Sequence, residues 1–172
     1  ACEQKLPKGT DTVDALTFQT EVRRIEKLMY RVGMSYLGNN DDVADAVQDT
    51  LAKAWEKRNH LKRLEQFKPW MMRILTNRCI DMLRKRKRIS FFPLEDDTVV
   101  VDMPSQLSPV MEAIGQLRPE LRLVVTLHYV DGYSISEIAE SLGIASGTVK
   151  TRLHSARKRL SHTLLVEWEG EQ

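Results

Sequence analysis

The residue types that usually perform catalysis are not grouped in this sequence. The sequence contains no Gly-rich phosphate-binding loop and no nucleophile elbow. Its four histidines and two cysteines show no spacing typical of a metal site (His60, His128, His154, His162, Cys2 and Cys79). The feature that the sequence does concentrate is charge. We therefore expect a binding protein with no catalytic activity, metal or cofactor of its own.

Basic residues are concentrated in two segments, although the net charge of the 172-residue chain is only +2. Residues 62–88 contain ten basic and two acidic side chains, and residues 150–159 contain five basic and no acidic ones. Two separated basic segments are typical of a protein that contacts a polyanion such as nucleic acid at two places. The alternative reading of charge alone is a pair of solvated basic helix ends.

The second basic segment lies on the last helix of a predicted helix-turn-helix. A capping signal at Ser134 precedes a short predicted helix, Ser136–Leu142, and Ser146 is expected to cap a longer helix that ends near Leu164. Such a helix fits the major groove of DNA. With Val149 and its apolar neighbours buried, the residues expected to face bases are Lys150, Thr151, His154 and Ser155, and those expected to flank them for phosphate contact are Arg152, Arg157, Lys158 and Arg159.

The apolar spacing in the first half of the chain predicts further helices. One spans Leu16–Leu37 and a second spans about Asp41–Arg58, with a helix stop and a new cap between them at Gly38. The helical pattern resumes over Met71–Leu83. Asn77 lies in the middle of this third stretch and predicts a break between two shorter helices.

The second predicted helix carries an acidic stripe. Asp42, Asp45 and Asp49 recur at spacings of three and four residues, on the side opposite its apolar face. Asp41 and Asp42 are explained by the helix dipole at the N-terminus. Asp49 lies two turns into the helix, where the dipole effect has faded, so we expect it to take part in an interaction.

Residues 89–109 have no helical period and contain three prolines and four acidic residues. A structureless stretch of about twenty residues is uncommon inside a compact domain. The sequence therefore predicts an all-α protein of two small helical domains, residues 10–88 and 109–165, joined by an acidic linker over residues 89–108. Val99–Val101 could form a strand within this linker, and Pro109 and Pro119 are expected to open the first two helices of the second domain.

Two stretches of the chain resemble a known family. Gly147–Arg157 resembles the recognition helix of bacterial sigma factors of the extracytoplasmic-function (ECF) group. Asp42–Asp49, followed by Ala54 and Trp55, resembles the helix with which that group binds RNA polymerase. The residues that match the group's promoter −10 segment are Phe67, Trp70, Ile74, Asn77, Asp81, Leu83 and Arg84. The resemblance covers about Thr17–Leu164.

The resemblance implies a promoter-specificity subunit of RNA polymerase, with a region 2 domain followed by a region 4 domain. It implies contacts to the clamp of core RNA polymerase from Asp45, Gln48 and Asp49. It implies contacts to −10 promoter DNA from Arg73, Arg78, Arg84, Lys85 and Arg86, with Asn77 in a base-capturing loop. It implies contacts to −35 promoter DNA from Lys150, Thr151, Arg152, His154, Ser155 and Arg157.

Further expectations concern partners and location. Members of this group are held inactive by an anti-sigma factor, which is often anchored in a membrane. No apolar run in this chain reaches the roughly 18 residues of a membrane span, and no leader pattern opens it. We therefore expect a cytoplasmic protein without membrane insertion.

Phe67 and Trp70 could stack on bases, but their helical spacing favours a place in the core.

Two other functions stay open at this point. A stand-alone helix-turn-helix regulator would need only the C-terminal helices, but it would leave the motifs of the first half unexplained. A helical interaction protein would use its basic patches to bind acidic partners or membranes. The acidic linker could either follow the nucleic-acid channel of the polymerase or act as a solvated spacer.

Overall fold

A computed structural model describes residues 13–89 and 109–170 of the chain. The predicted linker, with its possible strand at Val99–Val101, lies outside the described residues. Within them the protein is helical and has no strand, which confirms the all-α prediction. The α-helices are α1 (Ala15–Leu37), α2 (Asn40–Lys57), α3 (Phe67–Ile89), α4 (Pro109–Gly115), α5 (Pro119–Val125), α6 (Ile135–Leu142) and α7 (Ser146–Gly170). None of these helices is long and apolar enough to span a membrane.

The boundary between α1 and α2 lies where the sequence predicts it. Gly38 has a φ of 78° and ends α1 in the left-handed conformation, with its N–H bonded to the Met34 carbonyl. The Asn39 side chain then accepts a hydrogen bond of 2.9 Å from the backbone N–H of Asp42 and caps α2. These two adjacent residues therefore reverse the chain and bring α2 back against α1.

The helices α1 and α2 approach each other closely at Gly33. A Cβ atom at position 33 would lie only 2.8 Å from Cγ1 of Val43. Glycine inside a helix lowers helix stability by about 1 kcal/mol relative to alanine. Here the missing side chain leaves room for Val43, so the two helices can pack closely. Because Val43 is held against α1, the opposite side of α2 faces outward.

The third helix is continuous, so the predicted break at Asn77 is wrong. The exposed Asn77 side chain points away from the core, while Leu75 and Cys79 on either side of it are fully buried. The hydroxyl of the neighbouring Thr76 donates 2.9 Å to the Met72 carbonyl within the helix. Packing of the apolar face against α1 and α2 therefore maintains the helix through a residue of modest helix propensity.

The second domain contains α4 to α7. Pro119 occupies the first turn of α5, as its missing N–H allows, and a π-helical turn, Thr126–Val130, continues that helix. The expectation that Ser146 caps α7 is wrong, because Ser146 is already helical and the N–H groups of Thr148 and Val149 bond to the Ala145 carbonyl.

The two domains pack against each other, which the sequence did not indicate. Helix α1 contacts α5, and α3 contacts α6. An ion pair of 2.7 Å joins Nη2 of Arg31 on α1 to Oδ1 of Asp131, just after the π-helical turn. At the turn before α7, a Cβ atom at Gly143 would lie 3.2 Å from Cβ of Pro69 on α3. The helix-turn-helix therefore rests on the first domain.

A substitution of Gly33 tests the close approach of α1 and α2. We expect Gly33→Ala to lower the free energy of unfolding by about 1–3 kcal/mol, because the added methyl overpacks the contact with Val43. The control is Gly115→Ala, where an added Cβ meets no atom within 4 Å, so stability should stay the same or rise. Urea unfolding of the full chain measures both, and equal effects of the two substitutions would contradict the packing argument.

Candidate functional site

The structure brings the three predicted polymerase contacts together on one face of α2. Asp45, Gln48 and Asp49 are exposed. Val43 and Ala46, on the opposite face, are fully buried against the other helices. The face therefore presents two carboxylates and one amide to a partner, in a helix whose orientation is set by the core.

The aromatic residues at the start of α3 pack in or against the core of the first domain. Phe67 is 1% exposed, and its ring packs edge-on against Phe18 with a centroid distance of 5.5 Å. Trp70 is half-buried and lies 6.0 Å from the Phe67 ring. The prediction that these residues belong to the core is confirmed for Phe67, which cannot stack on a base.

The candidate −10 contacts lie along α3. Arg73, Asn77 and Arg84 are exposed and follow one another at spacings of four and seven residues, which places them on one side of the helix. Asn77 lies in the middle of α3, so the expected base-capturing loop around it is wrong for this structure. The other candidates are the half-buried Arg78 and the exposed Lys85 and Arg86.

The acidic face of α2 and the basic face of α3 are joined by ion pairs. Nη2 of Arg78 lies 2.5 Å from Oδ2 of Asp49, and Arg86 pairs with Asp42. A third pair, between Arg84 and Asp81, is a looser contact of 3.8 Å within α3. The pairs between helices were not predicted from the sequence, although the opposite charges of the two stretches were a visible signal.

The helix-turn-helix is formed by α6, the turn at Gly143 and α7. Gly143 has a φ of 64°, the left-handed conformation that favours glycine, and its N–H closes the end of α6. On the inner face of α7, Val149, Leu153 and Ala156 are buried, as predicted. The predicted base-facing and flanking residues divide into the exposed Lys150, Thr151, His154 and Arg157 and the half-buried Arg152 and Ser155.

Two of these side chains make local contacts. The Thr151 hydroxyl donates 2.9 Å to the Gly147 carbonyl, and Nε of Arg157 donates 3.4 Å to the Leu153 carbonyl. Both bonds leave polar atoms facing outward, since both residues are exposed. Lys150 and His154, one turn apart, are exposed on the same side of the helix and are accessible candidates for reading bases.

Arg152 is half-buried and influences a tyrosine of the first domain electrostatically. Burial raises the pKa of Tyr36 on α1 to about 12, Glu120 of the second domain adds to the rise, and Arg152 opposes it. The Arg152 guanidinium therefore lies within electrostatic reach of the first domain. Its assignment as a −35 contact stays a prediction.

A capping box fixes the start of α6. The Glu137 N–H donates 3.2 Å to the Ser134 hydroxyl, and the Ser134 N–H donates 2.8 Å to Oε2 of Glu137. The hydrogen bonds with Ser134 lower the pKa of the Glu137 carboxyl. The predicted capping signal is confirmed, and it orients the helix on which α7 packs.

The buried Cys79 and the remaining candidate metal ligands show no sign of a reactive or metal-binding site in the described residues. Burial raises the pKa of the Cys79 thiol to about 12, so it remains protonated at neutral pH and is a poor nucleophile. In the part of the chain that the structure describes, no group of three His, Cys, Asp or Glu side chains could hold a metal ion.

Comparison with known proteins agrees with the two-part arrangement. The family "Sigma-70 region 2" matches residues 21–89, and the family "Sigma-70, region 4" matches residues 107–160. The chain is 33% identical over 154 residues to the ECF RNA polymerase sigma factor SigM of Mycobacterium tuberculosis, covering 88% of this chain and 79% of that protein. It is 32% identical over 143 residues to the RNA polymerase sigma factor SigV of Bacillus subtilis, covering 80% and 85%. The chain belongs to the ECF sigma factors.

Two solved structures share the architecture of this sigma factor. One is the sigma factor RpoE in complex with the anti-sigma factor NepR from Bartonella quintana, with a TM-score of 0.62, 30% identity and coverage of 87% of this chain and 97% of that chain. The other is CnrH in complex with the cytosolic domain of CnrY, with a TM-score of 0.60, 26% identity and coverage of 89% and 90%.

Family membership establishes the general function. This sigma factor is a promoter-specificity subunit of RNA polymerase rather than an enzyme, and its partners are core RNA polymerase and promoter DNA. A stand-alone helix-turn-helix regulator is not favoured, because the region 2 match over residues 21–89 would then have no role.

The capping box of α6 gives a pH-dependent prediction. Because the pKa of Glu137 is lowered from 4.5 by folding, its contribution to stability is fully present above pH 4.5 and is lost as pH falls through the lower folded value. We therefore expect Glu137→Gln to destabilise the protein at pH 7 and to have a smaller effect in increasingly acidic buffers. Urea unfolding over a descending pH series measures this, with Glu140→Gln, an exposed change on the same helix, as control. A pH-independent difference would contradict the assignment.

Proposed function

We propose a division of labour in which residues 10–88 bind core RNA polymerase and −10 DNA, residues 109–165 read the −35 element, and residues 89–108 link them. The observation that supports this best is that three different helices present exposed side chains of three different kinds. An exposed acidic face lies on α2, a basic face lies on α3, and exposed polar side chains lie on α7. This protein would act in the cytoplasm, where polymerase and promoter DNA meet.

The polymerase contact is assigned to Asp45, Gln48 and Asp49. All three are exposed on one helix face, so a partner can reach them without unfolding the domain. Carboxylates at an interface favour a basic partner surface, where they set the register and speed association. Their assignment to the polymerase clamp comes from the resemblance of Asp42–Asp49 to the polymerase-binding helix of the ECF group, and their charge is compatible with a basic surface there.

The DNA contacts are assigned to two helices. Arg73, Asn77, Arg78, Arg84, Lys85 and Arg86 on α3 would hold the melted −10 strand, where cations track phosphates and an amide can bond an extruded base. On α7, Lys150, Thr151, His154 and Ser155 would read the −35 duplex, with Arg152 and Arg157 on phosphates. A lysine provides one point charge where arginine would provide a two-pronged contact, so Lys150 accepts a wider choice of bases.

Simultaneous binding of both elements requires the two domains to separate. Elements about 25 base pairs apart are about 85 Å apart along duplex DNA, at about 3.4 Å per step. Packed helices such as α3 and α6 lie only about 8–10 Å apart. The packed arrangement is therefore a state of the free protein, and the Arg31–Asp131 ion pair must break when promoter DNA and polymerase are bound.

We also propose an anti-sigma factor as a partner. Of the two solved structures described above, RpoE is bound to the anti-sigma factor NepR and CnrH is bound to the cytosolic domain of CnrY. In this chain a cleft of about 910 Å³ lies between the domains. Apolar side chains from both sides line it, as suits an amphipathic helix; they include Val22, Met34, Val47, Leu51, Met111 and Ile114. A partner seated there would hold the domains together and block initiation.

Run-off transcription with purified core RNA polymerase tests the main proposal. We expect promoter-dependent transcripts only when this protein is added, and co-purification with the core enzyme. Asp49→Lys should weaken binding to core polymerase by reversing a charge on the α2 face. Lys150→Ala should change −35 preference by about 1–3 kcal/mol of discrimination and leave core binding intact. Equal loss of both activities in each variant would contradict the two-domain assignment.

The cleft has its own test. Met111→Arg places a charge on the cleft wall, whereas the control Val110→Arg alters the adjacent residue, which is 47% exposed and outside the cleft. We expect an anti-sigma factor isolated with the protein from its native host to be lost with Met111→Arg and kept with Val110→Arg. Both variants should retain run-off activity. Retention of the partner by Met111→Arg would overturn the proposed location.

A further inference from the structure

We propose that Asp49 and Asp42 act as internal counter-ions that hold Arg78 and Arg86 away from DNA until RNA polymerase binds the acidic face of α2. This inference rests on the proposed function, since it assigns opposite partners to the two helices. It adds a coupling between them: Asp49, which is assigned to the polymerase, and its neighbour Asp42 on α2 neutralise two arginines that are assigned to −10 DNA in the free protein.

The geometry of the pairs supports a built arrangement. On α2 the two carboxylates are seven residues apart, and on α3 the two arginines are eight residues apart and run in the opposite direction. At 1.5 Å per residue these separations are about 10.5 and 12 Å. Two antiparallel helices with matching spacing therefore carry two ion pairs, each about two turns from the other.

Both ion pairs are partly exposed to water and can therefore be separated at little cost. The Asp49 side chain is 55% exposed and that of Arg86 is 45% exposed. Ion pairs that remain in contact with water contribute little to stability. A partner that engages the outward side of Asp49 can therefore displace Arg78 without disrupting the domain, and the buried core beneath α2 stays in place.

The ion pair with Asp49 fixes the position of Arg78, and loss of this pair would free its guanidinium to bind another anion. Its side chain is 30% exposed, and its Nε is buried without a hydrogen-bond partner. Its sequence neighbour Asn77 is exposed. Once Asp49 is taken by a basic surface, the guanidinium loses its counter-ion and can pair with a DNA phosphate near Asn77.

This arrangement links the two binding events thermodynamically. If polymerase binding removes the counter-ion, it must raise the affinity for single-stranded DNA, and DNA must raise the affinity for polymerase by the same factor. The free protein would bind DNA weakly even though residues 62–88 contain ten basic side chains.

The test uses the full-length protein without polymerase and a fluorescein-labelled thymidine oligonucleotide, followed by anisotropy over a range of salt concentrations. We expect Asp49→Asn to raise affinity about threefold, in line with the strength of an exposed ion pair. The log–log salt dependence should steepen by about 0.7, the value for one additional phosphate contact on a single strand. Asp42→Asn should act similarly through Arg86.

Asp45→Asn is the matched control, because it removes the same charge from the same face and Asp45 pairs with no cation in the described part of the chain. It should leave the salt slope unchanged. The gain from Asp49→Asn should also vanish in an Arg78→Gln background. Equal slopes for Asp49→Asn and Asp45→Asn, or a gain that persists without Arg78, would overturn the proposal. If Arg78→Gln fails to fold, the Asp42→Asn and Arg86→Gln pair provides the same comparison at an exposed position.

A second measurement separates this inference from the proposed function. Adding core RNA polymerase, at concentrations that saturate each protein, should raise the affinity of the wild-type protein for the oligonucleotide more than that of Asp49→Asn. If the wild-type protein supports run-off transcription but Asp49→Asn and Asp45→Asn have the same salt slope for oligonucleotide binding, the counter-ion proposal fails and the proposed function stands. Absence of run-off transcription together with the expected salt slopes would reject the polymerase assignment and retain the ion-pair masking.

Discussion

The close packing of Val43 against Gly33 is the contact on which the arrangement of the first domain depends. Without a Cβ atom at Gly33, α2 lies directly on α1, and its apolar residues are drawn into the core. The rotation of α2 about its own axis is then fixed, so Asp45 and Asp49 face outward. Helix α3 completes the core and, by crossing α2 in the opposite direction, brings basic side chains beside those carboxylates.

In the first domain, surfaces of opposite charge on α2 and α3 lie side by side. The net charge of +2 combines a strongly basic α3 region with acidic stretches before and after it. In the folded protein the basic and acidic parts of the first domain meet through Arg78–Asp49 and Arg86–Asp42. Because these pairs remain partly exposed, they cost little to separate. A low net charge is therefore compatible with strong DNA contact once the acidic face is occupied.

The arrangement of the second domain also depends on local capping interactions together with contacts between residues distant in sequence. The capping box of Ser134 and Glu137 and the left-handed Gly143 define the two ends of α6, which sets the angle of α7. Arg31 and Asp131 then join this unit to α1. The cleft between the domains arises from this packing, because residues of both domains line it.

Much of the fold and of the candidate site was determined by the sequence itself. The period of apolar residues, the stop at Gly38, the capping signal at Ser134 and the exposed face of α7 depend on residues within a few positions of each other, and local rules describe such interactions well. Only the tertiary structure decided that α3 continues through Asn77, that Asp49 pairs with Arg78, and that the helix-turn-helix rests on Pro69. These outcomes depend on which surfaces distant in sequence meet in the core, and helical periodicity shows which face of a helix is buried but not which helix buries it.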